Sequence, residues 1–335
     1  MPFYLGVFKH MKELEKISLL RDYLEATSFF KAGSEDMREK ILKAILGNKR
    51  LPGGDLDTWL PENHYKISCV FIFYRRINLM EQALGWLSHQ NFSKEDFEVV
   101  LIEDRGGSEE GRGLVNKFPE LSIKYRASED PRTWGMIGSL RNQGLSMASG
   151  EIVLFLDDDT LVMDDNFLDK LYGFFRSDPE IMAVLPRGMA SFCLVEPRYQ
   201  YHDPHFFTGR CIAYRRLECL IRLGGFRSDF IGQEDVEFAM RFLATGLKYV
   251  TTDDLVYYHP PLLVPNLRKP QSVGYSFARS PYSFPVRLCF AINGSRWLYR
   301  WLCPTFKNQQ MGRFALGFLL GFVRGLLRLK STAYL

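Results

Sequence analysis

The sequence is poor in cysteine and has no pair of cysteines at the spacing of a zinc or redox motif. Its six cysteines are spread over 335 residues, and no CxxC occurs. Secreted disulfide scaffolds are shorter and richer in cysteine, so we interpret these residues as buried thiols in a reducing compartment. With 46% hydrophobic and 24% charged residues, the composition excludes a disordered chain and is typical of a globular one.

The sequence also lacks a long hydrophobic run. The longest strongly apolar stretch, Phe314 to Val323, falls well short of the roughly 20 residues that span a bilayer. The first 18 residues mix charged and apolar side chains, so no signal peptide is predicted. Arg313, Arg324, Arg328 and Lys330 surround the apolar stretch. This pattern predicts either an interfacial helix or a basic amphipathic helix packed on the protein's own body.

Acidic residues are missing from the last part of the chain. None follows Asp254, and residues 263–335 contain eleven Lys plus Arg. Residues 1–262 carry the remaining 32 basic residues against all 39 acidic ones. A basic block beside apolar stretches indicates an anionic partner, either a membrane leaflet or nucleic acid. We expect peripheral membrane contact and no nucleic acid, because the cations are interleaved with Leu, Phe and Trp and no nucleic-acid motif is present.

The sequence divides into three predicted segments. Residues 1–62 combine apolar residues at helical spacing with a linker rich in Pro and Gly. Residues 63–262 alternate strands and helices, and residues 263–335 are predicted to form basic amphipathic helices. The fold is therefore predicted to be α/β with a mostly parallel sheet flanked by helices, an N-terminal helical segment and C-terminal amphipathic helices.

The middle segment contains apolar runs of strand length, of the kind buried on both faces of a parallel sheet. We predict strands at residues 67–73, 97–102, 121–125, 151–156 and 181–185, and helices near 78–89, 136–148 and 164–175. Ligands gather at the carboxyl ends of the strands in such sheets. The residues that follow each predicted strand are therefore the first candidates for a functional site.

Three consecutive aspartates follow the strand at 151–156. Asp157, Asp158 and Asp159 repel one another, and a bound divalent cation would remove that cost. Carboxylate oxygens suit Mg²⁺ or Mn²⁺. In an extended segment Asp157 and Asp159 point the same way and can share a ligand. The alternative is an acidic turn that opens the next helix.

Two further candidates follow the first two strands. Asp104 precedes Gly106-Gly107, a turn through which a ligand can approach the backbone, and its carboxylate can bind a nucleobase or ribose. A plain turn-forming aspartate is the alternative. Tyr74 can stack on a base, or it can simply cover the end of its strand.

The last candidates lie later in the chain. Glu234 and Asp235 stand near the start of a predicted helix beside a glycine-rich loop. A carboxylate there is either a partner of the helix dipole or a general base. His259 ends a short apolar segment and is either structural or a third metal ligand.

Taken in order, five stretches between about Tyr65 and Pro261 resemble the family 2 glycosyltransferases, which have the GT-A fold. They are strand one with Tyr74, the Glu103-Asp104 turn, Arg141-Asn142 in the helix before Ser149-Gly150-Glu151, the Asp157-Asp158-Asp159 block, and Gly224-Gly225-Phe226 followed by Glu234-Asp235. Two departures from the family pattern, Arg75-Arg76 after strand one and Arg105 after Asp104, leave the donor base open and suggest that the first two arginines serve phosphate.

The resemblance implies a role for each candidate residue. Asp235 would be the catalytic base, with Glu234 next in line. Asp159 and Asp157 would ligate the metal, with His259 as a further ligand. The donor would be bound by Tyr74, Asp104, Arg141, Asp157 and Asp158.

The resemblance also implies the activity. We expect inverting transfer of a sugar from a UDP- or GDP-linked donor to a glycan or lipid-linked acceptor, with Mn²⁺ or Mg²⁺ as cofactor. The expected role is cell-envelope polysaccharide or glycolipid synthesis, in the cytoplasm at the inner face of the cell membrane. The alternatives are a nucleotidyltransferase and a non-catalytic nucleotide-sugar-binding module at the membrane. The intact aspartates argue against the module, and the glycine-rich loop with Glu234-Asp235 favours the sugar transferase.

Overall fold

The computed structural model describes residues 61–190, 205, 207–260, 264–282, 284–295, 297–302 and 305–329. The predicted helices within residues 1–50 lie outside this range. The chain divides into two compact units. The described residues of the sheet unit lie within 61–239 and 247–260, and those of the helical unit lie within 240–246 and 264–329. The domain boundaries drawn from the sequence stay a prediction.

The sheet unit is built on seven strands within the described residues. They are β1 Tyr65–Phe73, β2 Phe97–Glu103, β3 Ile123–Ala127, β4 Gly150–Asp157, β5 Ile181–Ala190, β6 Cys211–Arg215 and β7 Lys248–His259. Their order is β3-β2-β1-β4-β6-β5-β7. Only β6 runs antiparallel to its neighbours in this sheet. The predicted mostly parallel sheet is confirmed, and β6 and β7 are additions that the sequence analysis did not predict as strands.

Helices cover both faces of the sheet. They are α1 Ile77–Ser88, α2 Glu109–Lys117, α3 Ile137–Met147, α4 Phe167–Ser177 and α5 Glu234–Ala244. Alternate residues of β1, β2 and β4 share one apolar core with α1 and α4. The other set faces α3, where Gly144 packs against Val70. Because both faces are covered, these strands are continuous apolar runs rather than alternating ones.

The strand register brings several carboxyl ends to one rim of the sheet. Phe73 of β1 is level with Glu103 of β2, and Ile72 is level with Asp157 of β4. The turn after β4 returns to the sheet through Leu161, whose N–H and C=O pair with Tyr258 of β7 at 2.9 and 2.8 Å. The polar residues after β1, β2, β4 and β7 are therefore neighbours.

The helical unit contains α6 Arg268–Arg279, α7 Phe284–Ser295, a 3₁₀ turn at Leu298–Leu302 and α8 Phe306–Leu326. Its core includes Phe277, Phe290 and Phe318, whose rings pack with centroids 4.9 to 5.8 Å apart. The Thr305 hydroxyl caps α8 by accepting a hydrogen bond from the Asn308 N–H. Among the described residues, no helix combines the length and apolar character that crossing a membrane requires.

Candidate active site

Two aspartates and a histidine converge at the rim of the sheet. Asp157 ends β4, Asp159 follows two residues later, and His259 ends β7. One ligand atom from each lies within 4.8 Å of the others. His259 Nε2 is 2.9 Å from Asp159 Oδ1 and 3.7 Å from Asp157 Oδ2. The pairing of Leu161 with Tyr258 brings the turn after β4 beside the end of β7 and so creates this cluster.

The histidine ring is oriented by its second nitrogen. His259 Nδ1 lies 2.6 Å from the carbonyl oxygen of Pro260 and donates to it, which turns Nε2 toward the two carboxylates. Metal-binding histidines are commonly held this way. Two carboxylate oxygens and one imidazole nitrogen form a donor set that suits Mn²⁺ and that Mg²⁺ also accepts in part. The three residues therefore fit a divalent cation.

Nearby basic side chains keep the carboxylates of the cluster ionised. Burial would raise the pKa of Asp157, but His259, Arg141 and Arg210 hold that pKa well below its usual value. Asp159 shows the same balance, with His259 lowering its pKa against the effect of burial. The two carboxylates in turn raise the pKa of His259, although burial alone would lower it. A divalent cation bound here would take the place of the proton on His259 Nε2 between the two carboxylates.

The middle aspartate is held by an arginine. Arg76 Nη1 donates to Asp158 Oδ1 and to Asp159 Oδ2, both at 2.8 Å. Burial raises the pKa of Asp158 to about 7 despite Arg76, and the charges of Asp157 and Asp159 act in the same direction as burial. Asp158 therefore lies outside the cluster of possible metal ligands, while half-exposed Arg76 joins the turn after β1 to the turn after β4.

A buried arginine connects the cluster to α5. Arg141 Nε donates to Glu234 Oε1 at 2.8 Å, and its Nη2 lies 3.3 Å from Asp157 Oδ1. Its guanidinium also packs over the ring of Phe155, 5.2 Å from the centroid. Burial and the neighbouring Asp235 raise the pKa of Glu234, against the effect of Arg141. Glu234 is thus a buried partner of Arg141 rather than an exposed carboxylate.

Asp235 is the half-buried carboxylate at the start of α5. Its Oδ2 accepts a hydrogen bond from the N–H of Gly209 and its Oδ1 accepts one from the N–H of Val236, both at 2.8 Å. A side chain at position 209 would overlap the guanidinium of Arg141, so a glycine is needed there. Backbone amides therefore fix the orientation of Asp235 while leaving lone pairs on both oxygens.

The glycine-rich loop before α5 is anchored by one side chain of α3. Asn142 Nδ2 donates to the carbonyl oxygen of Phe226 at 2.7 Å, and its Oδ1 accepts from the Phe226 N–H at 2.8 Å. Gly224 and Gly225 both have positive φ, which permits the turn into this contact. Arg141 thus binds the carboxylates of Asp157 and Glu234, and the adjacent Asn142 holds the glycine-rich loop.

Asp104 and Tyr74 lie at the ends of β2 and β1, apart from the Asp157, Asp159 and His259 cluster. The Asp104 carboxylate accepts from the N–H groups of Arg105 at 2.8 Å and Gly135 at 3.0 Å. The guanidinium groups of Arg75 and Arg105 lie 5.0 and 4.8 Å from the centroid of the Tyr74 ring. Both arginines have left-handed backbone conformations, with φ of 57° and 60°. These side chains form a second polar group on the same rim.

The sequence reasoning missed two contacts of the site. It raised Arg76 only as one of two arginines near phosphate, and the ion pairs of Arg76 with Asp158 and Asp159 were not predicted. The hydrogen bond from the Gly209 N–H to Asp235 could not be predicted, because a backbone donor does not depend on the type of residue. The unusual Arg75-Arg76 after strand one was the available signal for the first contact.

Comparisons with known proteins find relatives among the glycosyltransferases. Residues 68–229 match the model of glycosyl transferase family 2. Validoxylamine A glucosyltransferase of Streptomyces hygroscopicus subsp. jinggangensis is 37% identical over 92 residues, which cover 27% of this chain and 21% of that protein. The poly(ribitol-phosphate) beta-N-acetylglucosaminyltransferase TarP of Staphylococcus aureus is 21% identical over 58% of this chain and 62% of its own length. The chain spans about a fifth of the length of the first curated relatives it matches.

Solved structures share the fold at low sequence identity. The mannosyltransferase PcManGT from Pyrobaculum calidifontis, solved with GDP-Man and Mn²⁺, has a TM-score of 0.56 at 17% identity. That match covers 96% of this chain and 100% of the other. S. aureus TarS 1–349, solved with UDP-GlcNAc, has a TM-score of 0.53 at 18% identity over 78% of this chain and 81% of the other. Through residues 68–229, the chain belongs to glycosyltransferase family 2, and its sheet unit has the GT-A fold.

Proposed function

We propose that the protein is a metal-dependent, inverting glycosyltransferase that moves a sugar from a nucleoside-diphosphate donor to an acceptor hydroxyl. The observation that carries this proposal is the convergence of Asp157, Asp159 and His259 within 4.8 Å, on a rim joined by Arg141 to the start of α5. A lone aspartate run would be an ordinary acidic turn. Its pairing with a histidine from a distant strand supports a cation site instead.

We assign the cation to Asp157, Asp159 and His259. When bound, Mn²⁺ or Mg²⁺ supplies positive charge to the diphosphate that leaves with the nucleoside. Arg76 is half-exposed and stands beside this cluster, so it can exchange its bonds with Asp158 and Asp159 for phosphate oxygens. Buried Arg141 keeps Asp157 ionised and in place.

We assign the general base to Asp235. It accepts the proton of the acceptor hydroxyl as that oxygen forms a bond to the anomeric carbon and the bond from that carbon to the diphosphate breaks. A single displacement of this kind inverts the anomeric configuration. Glu234 is buried and bonded to Arg141, whereas Asp235 is half-buried, so Asp235 is better placed to reach an acceptor. Glu234 then acts as a positioning residue.

We place the nucleoside of the donor near Tyr74 and Asp104, with Asp158 and Arg141 among the residues around the diphosphate. The structures of PcManGT with GDP-Man and of TarS with UDP-GlcNAc support a GDP- or UDP-linked donor. The names of two relatives, a poly(ribitol-phosphate) beta-glucosyltransferase and an O-antigen biosynthesis protein, support a cell-envelope polymer or glycolipid as acceptor. We further propose that the protein works at the inner face of the cell membrane through residues 263–335.

A donor screen tests this proposal directly. Purified full-length protein is incubated with UDP- and GDP-linked sugars, with Mn²⁺, with Mg²⁺ or with EDTA, and release of the nucleoside diphosphate is measured. We expect slow hydrolysis of one donor that EDTA abolishes. Release of pyrophosphate would instead indicate a nucleotidyltransferase. Absence of hydrolysis, together with absence of metal-dependent UDP or GDP binding in titration calorimetry, would favour a non-catalytic module.

A further inference from the structure

Helix α7 exposes an apolar stripe. Phe284, Leu288 and Ile292 are spaced four residues apart and so lie on one face of the helix. The side chains of Phe284 and Ile292 are 52% and 51% exposed. Phe290 points away from this face and is buried against Phe277, with ring centroids 4.9 Å apart. Packing within the helical unit therefore uses Phe290 and leaves the stripe uncovered by the described residues.

The turn that follows α7 continues the exposed apolar surface along the chain. In the 3₁₀ turn Leu298–Leu302, Tyr299, Trp301 and Leu302 are exposed, and Leu302 reaches 91%. Tyr and Trp combine an apolar ring with a polar atom, a composition that favours the boundary between lipid and water. Exposed aromatic and aliphatic side chains concentrated in one segment indicate a contact surface rather than an ordinary solvated one.

The positive charge of the helical unit indicates which kind of partner this surface binds. No acidic residue follows Asp254 in the sequence. Arg268, Arg279 and Arg313 of the helical unit have exposed side chains. A second copy that docked through the same surface would present the same positive charge and would be repelled, whereas an anionic bilayer would be attracted. An apolar stripe on a helix whose neighbours carry exposed arginines suits contact with the bilayer interface.

We propose that Phe284, Leu288, Ile292, Tyr299, Trp301 and Leu302 form a docking surface for an anionic lipid bilayer. The apolar side chains enter the headgroup boundary while exposed arginines of the helical unit meet lipid phosphates. This deepens the proposed function, on which it rests for its purpose, by giving the residues and the lipid chemistry that hold the enzyme near a membrane-bound acceptor. The binding step itself involves no donor and no metal.

Vesicle co-sedimentation tests the docking surface with the full-length protein. The probes are vesicles of phosphatidylcholine alone and of phosphatidylcholine mixed with phosphatidylglycerol. We expect wild-type protein to prefer the phosphatidylglycerol vesicles, with binding that weakens as salt rises. The triple variant Phe284→Ser, Leu288→Ser, Ile292→Ser is expected to lose at least about tenfold in its partition coefficient. Met163→Ser is the matched control, since Met163 is 62% exposed in the sheet unit and should leave partition unchanged.

A second variant separates charge from apolar contact. Arg268→Gln with Arg279→Gln should weaken binding to phosphatidylglycerol vesicles by about fivefold per charge and leave binding to phosphatidylcholine unchanged. Circular dichroism establishes that each variant folds, so that loss of binding reports on the surface alone.

Three outcomes would overturn the proposal. They are absence of vesicle binding by folded wild-type protein, equal binding by the triple serine variant, and a wild-type dimer that this variant loses, which would make the stripe a self-association surface. Donor hydrolysis is measured on the same samples. Absence of vesicle binding by wild-type protein that still hydrolyses a donor would refute only the membrane surface, whereas vesicle binding without hydrolysis of any donor would refute only the proposed function.

Discussion

At the scale of single residues, the candidate site is a set of carboxylates that basic side chains hold in place. Asp159 contacts both His259 and Arg76, and Asp157 contacts Arg141. Each acidic group of the cluster therefore has a cationic partner, which offsets the repulsion expected for adjacent aspartates. A donor diphosphate with its cation adds two negative groups and one positive ion to this arrangement, and half-exposed Arg76 is the partner best able to move toward it.

Replacing the proposed base should separate binding from turnover. Asp235→Asn keeps the size of the side chain and, through its remaining oxygen, one of the two hydrogen bonds from backbone N–H groups, but it cannot take a proton. We expect kcat to fall by roughly 10²- to 10⁴-fold with donor affinity nearly unchanged. The measurement is steady-state transfer together with calorimetric donor binding. Near-normal turnover would reassign the base, with Glu234 the next candidate, and Glu234→Gln provides the comparison.

Removing the charge of Arg76 should lower the catalytic efficiency with the donor. Arg76→Gln loses charge-assisted contacts near the expected diphosphate, and we expect kcat/KM for the donor to fall by about tenfold or more. Arg132→Gln is the control, because Arg132 is an exposed arginine whose pairing with Asp130 is local. Equal kcat/KM for the Arg76 and Arg132 variants would show that Arg76 only balances the aspartates.

At the scale of elements, the site follows from strands that end level with one another. The sequence predicted β1, β2 and β4 to within a few residues, because buried parallel strands are continuous apolar runs. It did not predict α2, whose sequence contains two glycines and depends on the Ser108 side chain, which caps the helix by accepting from the Gly111 N–H. It also did not predict the antiparallel β6, since pairing between distant strands is decided by tertiary contacts rather than by local pattern.

The placement of the candidate residues was predictable in part, while their roles stay predictions. Asp157, Asp159 and His259 were chosen as possible metal ligands from residue type and strand position, and the structure brings their ligand atoms together. Asp104 and Tyr74 lie on the same rim as a separate group. Contacts through backbone atoms, such as the bond from Gly209 to Asp235, could not be foreseen from side-chain identity.

The close approach of the segment before β6 to α3 makes Gly209 sensitive to substitution. Gly209→Ala would push Arg141 from its position between Asp157 and Glu234, and we expect a loss of about 1–3 kcal/mol in the free energy of unfolding. Gly113→Ala is the matched control in α2, where the added methyl group meets no atom and should stabilise the helix by about 0.5–1 kcal/mol. Urea denaturation measures both values, and equal stability of the two variants would contradict the proposed packing of Arg141.

The anchor between α3 and the glycine-rich loop gives a second test at this scale. Asn142→Ala leaves the buried N–H and C=O of Phe226 without their side-chain partners, and we expect each lost partner to cost about 1–3 kcal/mol in the free energy of unfolding. Gln143→Ala, one residue later on α3, removes only a half-buried bond to Ser128 and should cost less. If the two variants unfold at the same urea concentration, the Asn142 bonds do not hold the loop.

At the scale of the whole molecule, the sequence separates an acidic part from a basic part. Residues 1–262 contain seven more acidic than basic residues, whereas residues 263–335 carry eleven basic residues and no acidic one. The charge pattern could be read from the sequence, but the exposure of Phe284, Ile292 and Leu302 required the packed structure. Composition alone does not show which apolar side chains of a helix are buried and which are exposed.

The central claim is that Asp157, Asp159 and His259 hold a divalent cation that the nucleoside diphosphate of the donor also binds. Titration calorimetry of UDP and GDP into wild-type protein and Asp159→Asn, each with Mn²⁺ and with EDTA, tests it most directly. The account predicts that wild-type protein binds one nucleotide only when Mn²⁺ is present and that the Asp159 variant loses this binding while remaining folded. Equal nucleotide affinity in Mn²⁺ and EDTA, or full binding by the variant, would contradict it.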